Sequence, residues 1–185
     1  MKKIMLLFFA FATIASFGQA EKQTAFSKNE IKANALFFII GQPEITYERI
    51  LNNESSIGIS TSFALEKDFE TTFSMAPYYR YFFGKKPASG FFVEGFSMIN
   101  SLKIDDSIYY MYVPSTNSYS EEIIKGDKYT DFALGFGLGF KLVSKKGLVL
   151  EANGGIGRNL LNPEKNDYFG HTFVGRGGIT IGYRF

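Results

Sequence analysis

The stretch YTDFALGFGLGFKLV, residues Tyr129 to Val143, decides the fold. Phe132, Leu134, Phe136, Leu138, Phe140 and Leu142 recur at every second position, and Asp131, Ala133, Gly135, Gly137, Gly139 and Lys141 fill the gaps. Strand side chains alternate between two faces, so this period reads as a β-strand. One face is a continuous apolar band; the other holds Gly and Ala, bracketed by an acid and a base. A strand half-buried in a water-soluble sheet turns Lys, Glu or Thr outward, and a row of glycines there weakens it for no gain. A membrane barrel strand has the reverse need, because its bulky face meets lipid and its small face meets a crowded lumen. The stretch therefore predicts an outer-membrane β-barrel.

Seven further segments carry the same rhythm: Asn29 to Ile40, Glu44 to Leu51, Ser56 to Ala64, Thr71 to Phe83, Phe91 to Leu102, Leu148 to Asn159 and Thr172 to Phe185. The first alternates cleanly in its first half and is apolar on both faces in its second. Pro77 lacks a ladder donor, which predicts a bulge in the fourth segment. In the fifth, Phe92, Glu94, Phe96 and Met98 oppose Phe91, Val93 and Gly95, and the register past Gly95 stays open. Connections 41–43, 65–70, 103–128 and 160–171 alternate with the shorter 52–55, 84–90 and 144–147. Long external loops and short periplasmic turns give outer-membrane barrels this asymmetry, and an even strand count returns both termini to one side.

The N-terminus has the order of a secretory signal peptide: Lys2 and Lys3, an apolar run from Ile4 to Ala12, then Ser16, Gly18 and Ala20. Cleavage is expected after Ala20, with Gly18 as the second choice, which leaves residues 21–185 as one barrel domain. The leader takes two lysines and no acid with it, so the 20 Lys and Arg fall to equality with the 18 Asp and Glu. A neutral mature chain lacks the basic stripe of a nucleic-acid binder. No later apolar run approaches the length of a membrane helix. With no Cys, neither disulfides nor thiolate chemistry arise; 21 Phe, 11 Tyr and 19 Gly suit a barrel wall.

The final residues, ITIGYRF, place Ile181, Tyr183 and Phe185 at alternating positions. This resembles the terminal-strand signature of bacterial outer-membrane barrels, which the barrel-assembly machinery recognises. With the leader and eight alternating segments, the mature chain as a whole is similar to the small eight-stranded OmpA/OmpX-type barrels and to the uncharacterised outer-membrane barrel domains of Gram-negative bacteria. The resemblance implies an all-β, eight-stranded antiparallel transmembrane up-and-down barrel in the outer membrane, in contact with lipid and lipopolysaccharide.

Alternation places Glu30, Lys32, Glu48, Arg80, Glu94, Lys141, Glu151 and Arg184 inside near the periplasmic end, with Arg176 higher up. Eight strands enclose only enough room for side chains, so these charges must pair or be solvated. A salt-bridged plug and an ion path are the two readings; the balance of signs favours the plug. Above it, Leu36, Phe38, Ile40, Phe92, Phe96 and Met98 face small residues, either as packed core or as a pocket for a small hydrophobic molecule or lipid. His171 stands at the external end. Membrane-rim deacylases resemble a His-x-Ser pattern, but Phe173 occupies the third place here; Ser97 or Ser101 would be the remaining nucleophiles of a lipid-modifying enzyme. Asp105, Asp106, Glu121 and Glu122 bracket the long loop as solvated acids rather than a metal site. Tyr109, Tyr110, Tyr112 and Tyr119 make that loop either a surface for an extracellular partner or an extension of the flanking strands. Outward Arg158 could meet lipopolysaccharide phosphate, and Arg49 could snorkel to headgroups. The expected protein is a non-catalytic, cofactor-free barrel with a structural or surface-interaction role through residues 103–128. Binding or passage of hydrophobic molecules is the alternative and lipid modification the third reading.

Overall fold

The described residues form ten strands, eight from the alternating segments and two, β6 and β7, within the connection 103–128: β1 Asn29–Asn34, β2 Glu44–Ile50, β3 Ser55–Phe63, β4 Thr71–Phe82, β5 Gly90–Lys103, β6 Ser107–Val113, β7 Ser118–Ile124, β8 Lys128–Val143, β9 Leu148–Asn159 and β10 Phe173–Arg184. The computed structural model describes residues 27–66, 69–104, 107–113, 118–124, 126–162 and 172–185. The leader expected over residues 1–20, together with Asp105, Asp106 and His171, lies outside the described residues.

Eight of the strands close on themselves in the order β1-β10-β9-β8-β5-β4-β3-β2, every neighbouring pair antiparallel. The eight-stranded barrel expected from the alternation is the observed fold. First and last strands meet at a seam with Glu30 opposite Arg184, and Asn29 and Phe185 exchange backbone hydrogen bonds of 3.0 and 2.8 Å at one end, the termini end. The opposite, loop end carries the longer connections. Burial is inverted relative to a water-soluble sheet: Phe136 on the outer face of β8 is 70% exposed, whereas Arg80 inside is 1% exposed.

The glycine row of β8 is explained by the next strand. Register sets Phe92, Glu94 and Phe96 of β5 opposite Gly139, Gly137 and Gly135. A Cβ on Gly139 would lie 2.5 Å from the Phe92 ring, and one on Gly135 would run into the Phe96 ring. Small residues on one strand thus make room for the large lumen residues of its neighbour. On β5 the inward positions continue through Asn100 and Leu102 without a break, which closes the register left open past Gly95.

Two expectations are corrected. The first strand stops at Asn34, and Ala35–Ile39 form one turn of helix, α1. An apolar run without alternation fits helix and strand equally, and here the caps decide. Asn34 Oδ1 accepts the Phe37 N–H at 3.3 Å. At the other end Gly41, at φ +86°, lets its own N–H reach Phe38 O at 3.3 Å and the Gln42 N–H reach Phe37 O at 2.9 Å, a Schellman closure. Second, the register shift in β4 falls between Thr71 and Phe73, not at Pro77. Pro77 faces outward opposite Ile59; the ladder to β5 omits Ala76 and Pro77 but keeps one register on both sides, Met75↔Ile99 and Tyr78↔Phe96. The missing donor thus interrupts pairing locally without displacing the strand.

Candidate functional site

The lumen is filled in layers. At the termini end, Ile50, Phe82, Ala88 and Phe92 form a buried apolar cluster. Ala88 belongs to the β4–β5 turn, which folds over the mouth of the barrel: Ala88 N–H bonds Asn53 O at 2.7 Å, and Arg184 donates through Nη1 to Pro87 O and through Nη2 to Ala88 O, both at 2.8 Å. Residues 84–90 read in sequence as an ordinary turn; the signal that it is a stopper, a small apolar residue between Pro87 and Ser89, is too slight to recognise.

Above this cap lies the charge belt. Glu48 is its hub, receiving Lys32 Nζ at 2.6 Å, Arg80 Nη1 at 2.8 Å, Tyr78 OH at 2.8 Å and Lys141 Nζ. Lys32 also donates to Glu151 at 2.8 Å, and Lys141 to Glu30 at 2.9 Å. Arg80 reaches Glu94 through Nε at 2.7 Å and Glu151 through Nη2 at 2.8 Å, with its guanidinium 4.3 Å from both the Tyr78 and Phe92 ring centres. Arg184 closes on Glu30 at 2.6 Å. Arg176 joins the same network through Nη1, 2.9 Å from Glu94 Oε1. All nine charges named from sequence alternation lie in one connected ion-pair cluster. Sequence neighbours do not explain this, but register does: Arg80 stands opposite Glu94 and Lys141 opposite Glu151 across adjacent strands. Buried charges demand such partners, because removal from water costs several kcal/mol per ion.

A second apolar cluster, Ala76, Tyr78, Phe96, Met98, Ala133 and Val174, lies on the loop side of the belt. The six residues offered as one apolar pocket therefore separate. Phe92 is in the lower cluster and Phe96 and Met98 in the upper one, while Leu36, Phe38 and Ile40 leave the lumen on and just after α1 and are exposed. The helix, capped by Asn34, is the reason. Ser97 and Ser101 sit on the outward alternation of β5, away from the lumen. Asp131 reads in sequence only as the acid that brackets the glycine row. It gathers the start of the β9–β10 loop, accepting the N–H groups of Leu160 at 3.1 Å, Leu161 at 2.9 Å and Asn162 at 3.2 Å.

Beyond the barrel wall, β6 and β7 pair as a separate two-stranded ribbon. Lys103 opposite Lys128 is the last barrel pair before it, so the ribbon continues from β5 and β8. Tyr110 pairs with Glu121 and Tyr112 with Tyr119, their rings 5.5 Å apart; Tyr109, Tyr110, Tyr112 and Tyr119 are all exposed, Tyr119 by 71%.

A family model described as "Protein of unknown function (DUF3575)" matches residues 4–172. The chain belongs to the DUF3575 family. The DUF3575 match takes in seven of the eight barrel strands, β1–β5, β8 and β9, and both strands of the ribbon, and stops before β10, so Arg176, Ile181, Tyr183 and Arg184 lie outside it. Among solved structures, the chain is similar to the N-terminal β-barrel domain of Pseudomonas aeruginosa OprF, at 12% identity and a TM-score of 0.49, over 85% of this chain and 96% of that one. No curated protein matches it.

Proposed function

We propose that this chain is an outer-membrane barrel of a Gram-negative bacterium, with a lumen sealed by its ion-pair belt, no catalytic role, and the β6–β7 ribbon as its contact surface for an extracellular partner. One observation carries the membrane placement: Leu134, Phe136, Leu138, Phe140 and Leu142 are all at least half exposed on one face of β8, while Asp131, Ala133 and Lys141 on the other are fully buried. Water disfavours such a surface by about 25 cal/mol per Å² of apolar area, whereas lipid accepts it. Residues 1–20 would serve export, and Ile181, Tyr183 and Phe185, all outward on or just past β10, would present the strand to the assembly machinery.

The ribbon supports an interaction role because an isolated two-stranded hairpin is marginal in water, and tyrosines favour recognition surfaces. Purified protein showing heat-modifiable gel migration should be electrically silent in planar bilayers. Steady, salt-dependent conductance would refute the seal. Deleting residues 105–126 should leave heat-modifiable migration intact; its loss would show that the ribbon is part of the barrel's own stability and not a display element.

A further inference from the structure

A cavity of about 180 Å³ opens at the loop end of the lumen and rests on Met98 and Val174 of the upper apolar cluster. Its polar lining is Gln42, Glu44, Ser62, Ser74, Asn100 and Arg176, with Thr71 and Gly175 beside them. Most of these groups are already engaged: Ser62 and Ser74 share a hydrogen bond of 2.8 Å, Gln42 Nε2 donates to Thr71 O at 3.2 Å, and Asn100 Nδ2 to Asn159 Oδ1 at 3.2 Å. Asn100 Oδ1 and Arg176 Nε and Nη1 are left without a hydrogen-bond partner, Nη1 having its ion pair with Glu94, in residues only 1% and 7% exposed. Buried polar atoms without partners are costly, and most find one.

Their polarity is complementary. Arg176 is the member of the ion-pair cluster nearest the loop end, and that cluster holds the five cations Lys32, Arg80, Lys141, Arg176 and Arg184 against the four carboxylates Glu30, Glu48, Glu94 and Glu151. Arg176 therefore borders the cavity, and Glu44, which lines it too, brings the lumen to five cations against five carboxylates. Glu44 receives one hydrogen bond, from Asn34 Nδ2 at 3.1 Å, which leaves acceptor capacity free in the cavity that the orphan Asn100 oxygen also lines. A bare anion would meet Glu44, and a bare cation would meet Arg176. We propose that this vestibule binds a small zwitterion of the amino-acid class, with its carboxylate at Arg176 and its ammonium between Glu44 and Asn100 Oδ1. At about 30 Å³ per water the space equals roughly six waters, enough for a small amino acid. Met98, Leu102 and Phe173 line it for an apolar side chain. The belt beneath makes the site blind, so it binds rather than conducts.

The test is equilibrium dialysis of the full folded chain in detergent micelles against radiolabelled L-valine, acetate and methylammonium. Saturable one-to-one uptake of L-valine is expected, with acetate and methylammonium each at least tenfold weaker. Glu44→Gln and Asn100→Ala, checked for folding by heat-modifiable migration, should each weaken L-valine binding at least tenfold. No uptake above empty micelles would overturn the proposal. So would equal binding of acetate and L-valine, which marks a plain anion site, or unchanged affinity in both folded variants. The probe comparison needs no variant, so it stands even where a substitution prevents folding.

Discussion

Arg80→Ala should lower the unfolding free energy of the barrel by about 3–5 kcal/mol, the cost of breaking a buried pair by deleting one partner. Arg80 is the cation that ties Glu48, Glu94 and Glu151 together, at 2.8, 2.7 and 2.8 Å. Without it, Glu94 keeps Arg176 as its one cationic partner among the described residues, and Glu48 and Glu151 share Lys32 and Lys141. The Tyr78 and Phe92 rings also lose the guanidinium between them. Arg80→Lys keeps the charge but not the planar fork and should fall between the two. The readout is the urea midpoint of heat-modifiable migration in lipid vesicles. An Arg80→Ala midpoint equal to the parent's would mean that the belt contributes nothing to holding the wall together.

The second large effect concerns glycines, and its sign depends on the face. Gly135→Val should destabilise by about 1–3 kcal/mol or prevent closure, as overpacking of a filled interior does. Its Cβ would run into the Phe96 ring and lie 2.6 Å from Ile156 O and 2.7 Å from Gly157 Cα, and backbone cannot move aside as a side chain can. Gly95 and Gly154 have open space where a Cβ would go. Gly95→Val should therefore be neutral or stabilising by up to about 1 kcal/mol, the usual penalty of glycine inside a strand. Equal effects at both positions would show that β-propensity, not lumen packing, governs these sites.

Much of this was legible because a barrel wall repeats one local rule. Period two on β8 and β9 assigns every side chain to a face, and the assignment then dictates that Lys141 and Glu151 meet. The rule fails where chain ends or caps intervene. Ala35–Ile39 offer apolar residues on both faces, so nothing in their periodicity separates strand from helix; Asn34 and Gly41, seven residues apart, were the usable signal. Ala88 is buried through a tertiary fold-back that no periodicity encodes. The vestibule was likewise invisible, because Glu44, Asn100 and Arg176 come from three strands and are brought together only by barrel closure and register.

The Arg184 contacts bear on how the wall is completed. The guanidinium that holds the carbonyls of Pro87 and Ala88 stands on the last strand, opposite Glu30 of the first. The Ala88–Asn53 hydrogen bond holds the stopper without the seam, but its two ties to Arg184 bind it to the strand that closes the wall. A chain with an unzipped seam therefore keeps its stopper by one of these three ties, so lateral opening of the wall also loosens the closure at its mouth.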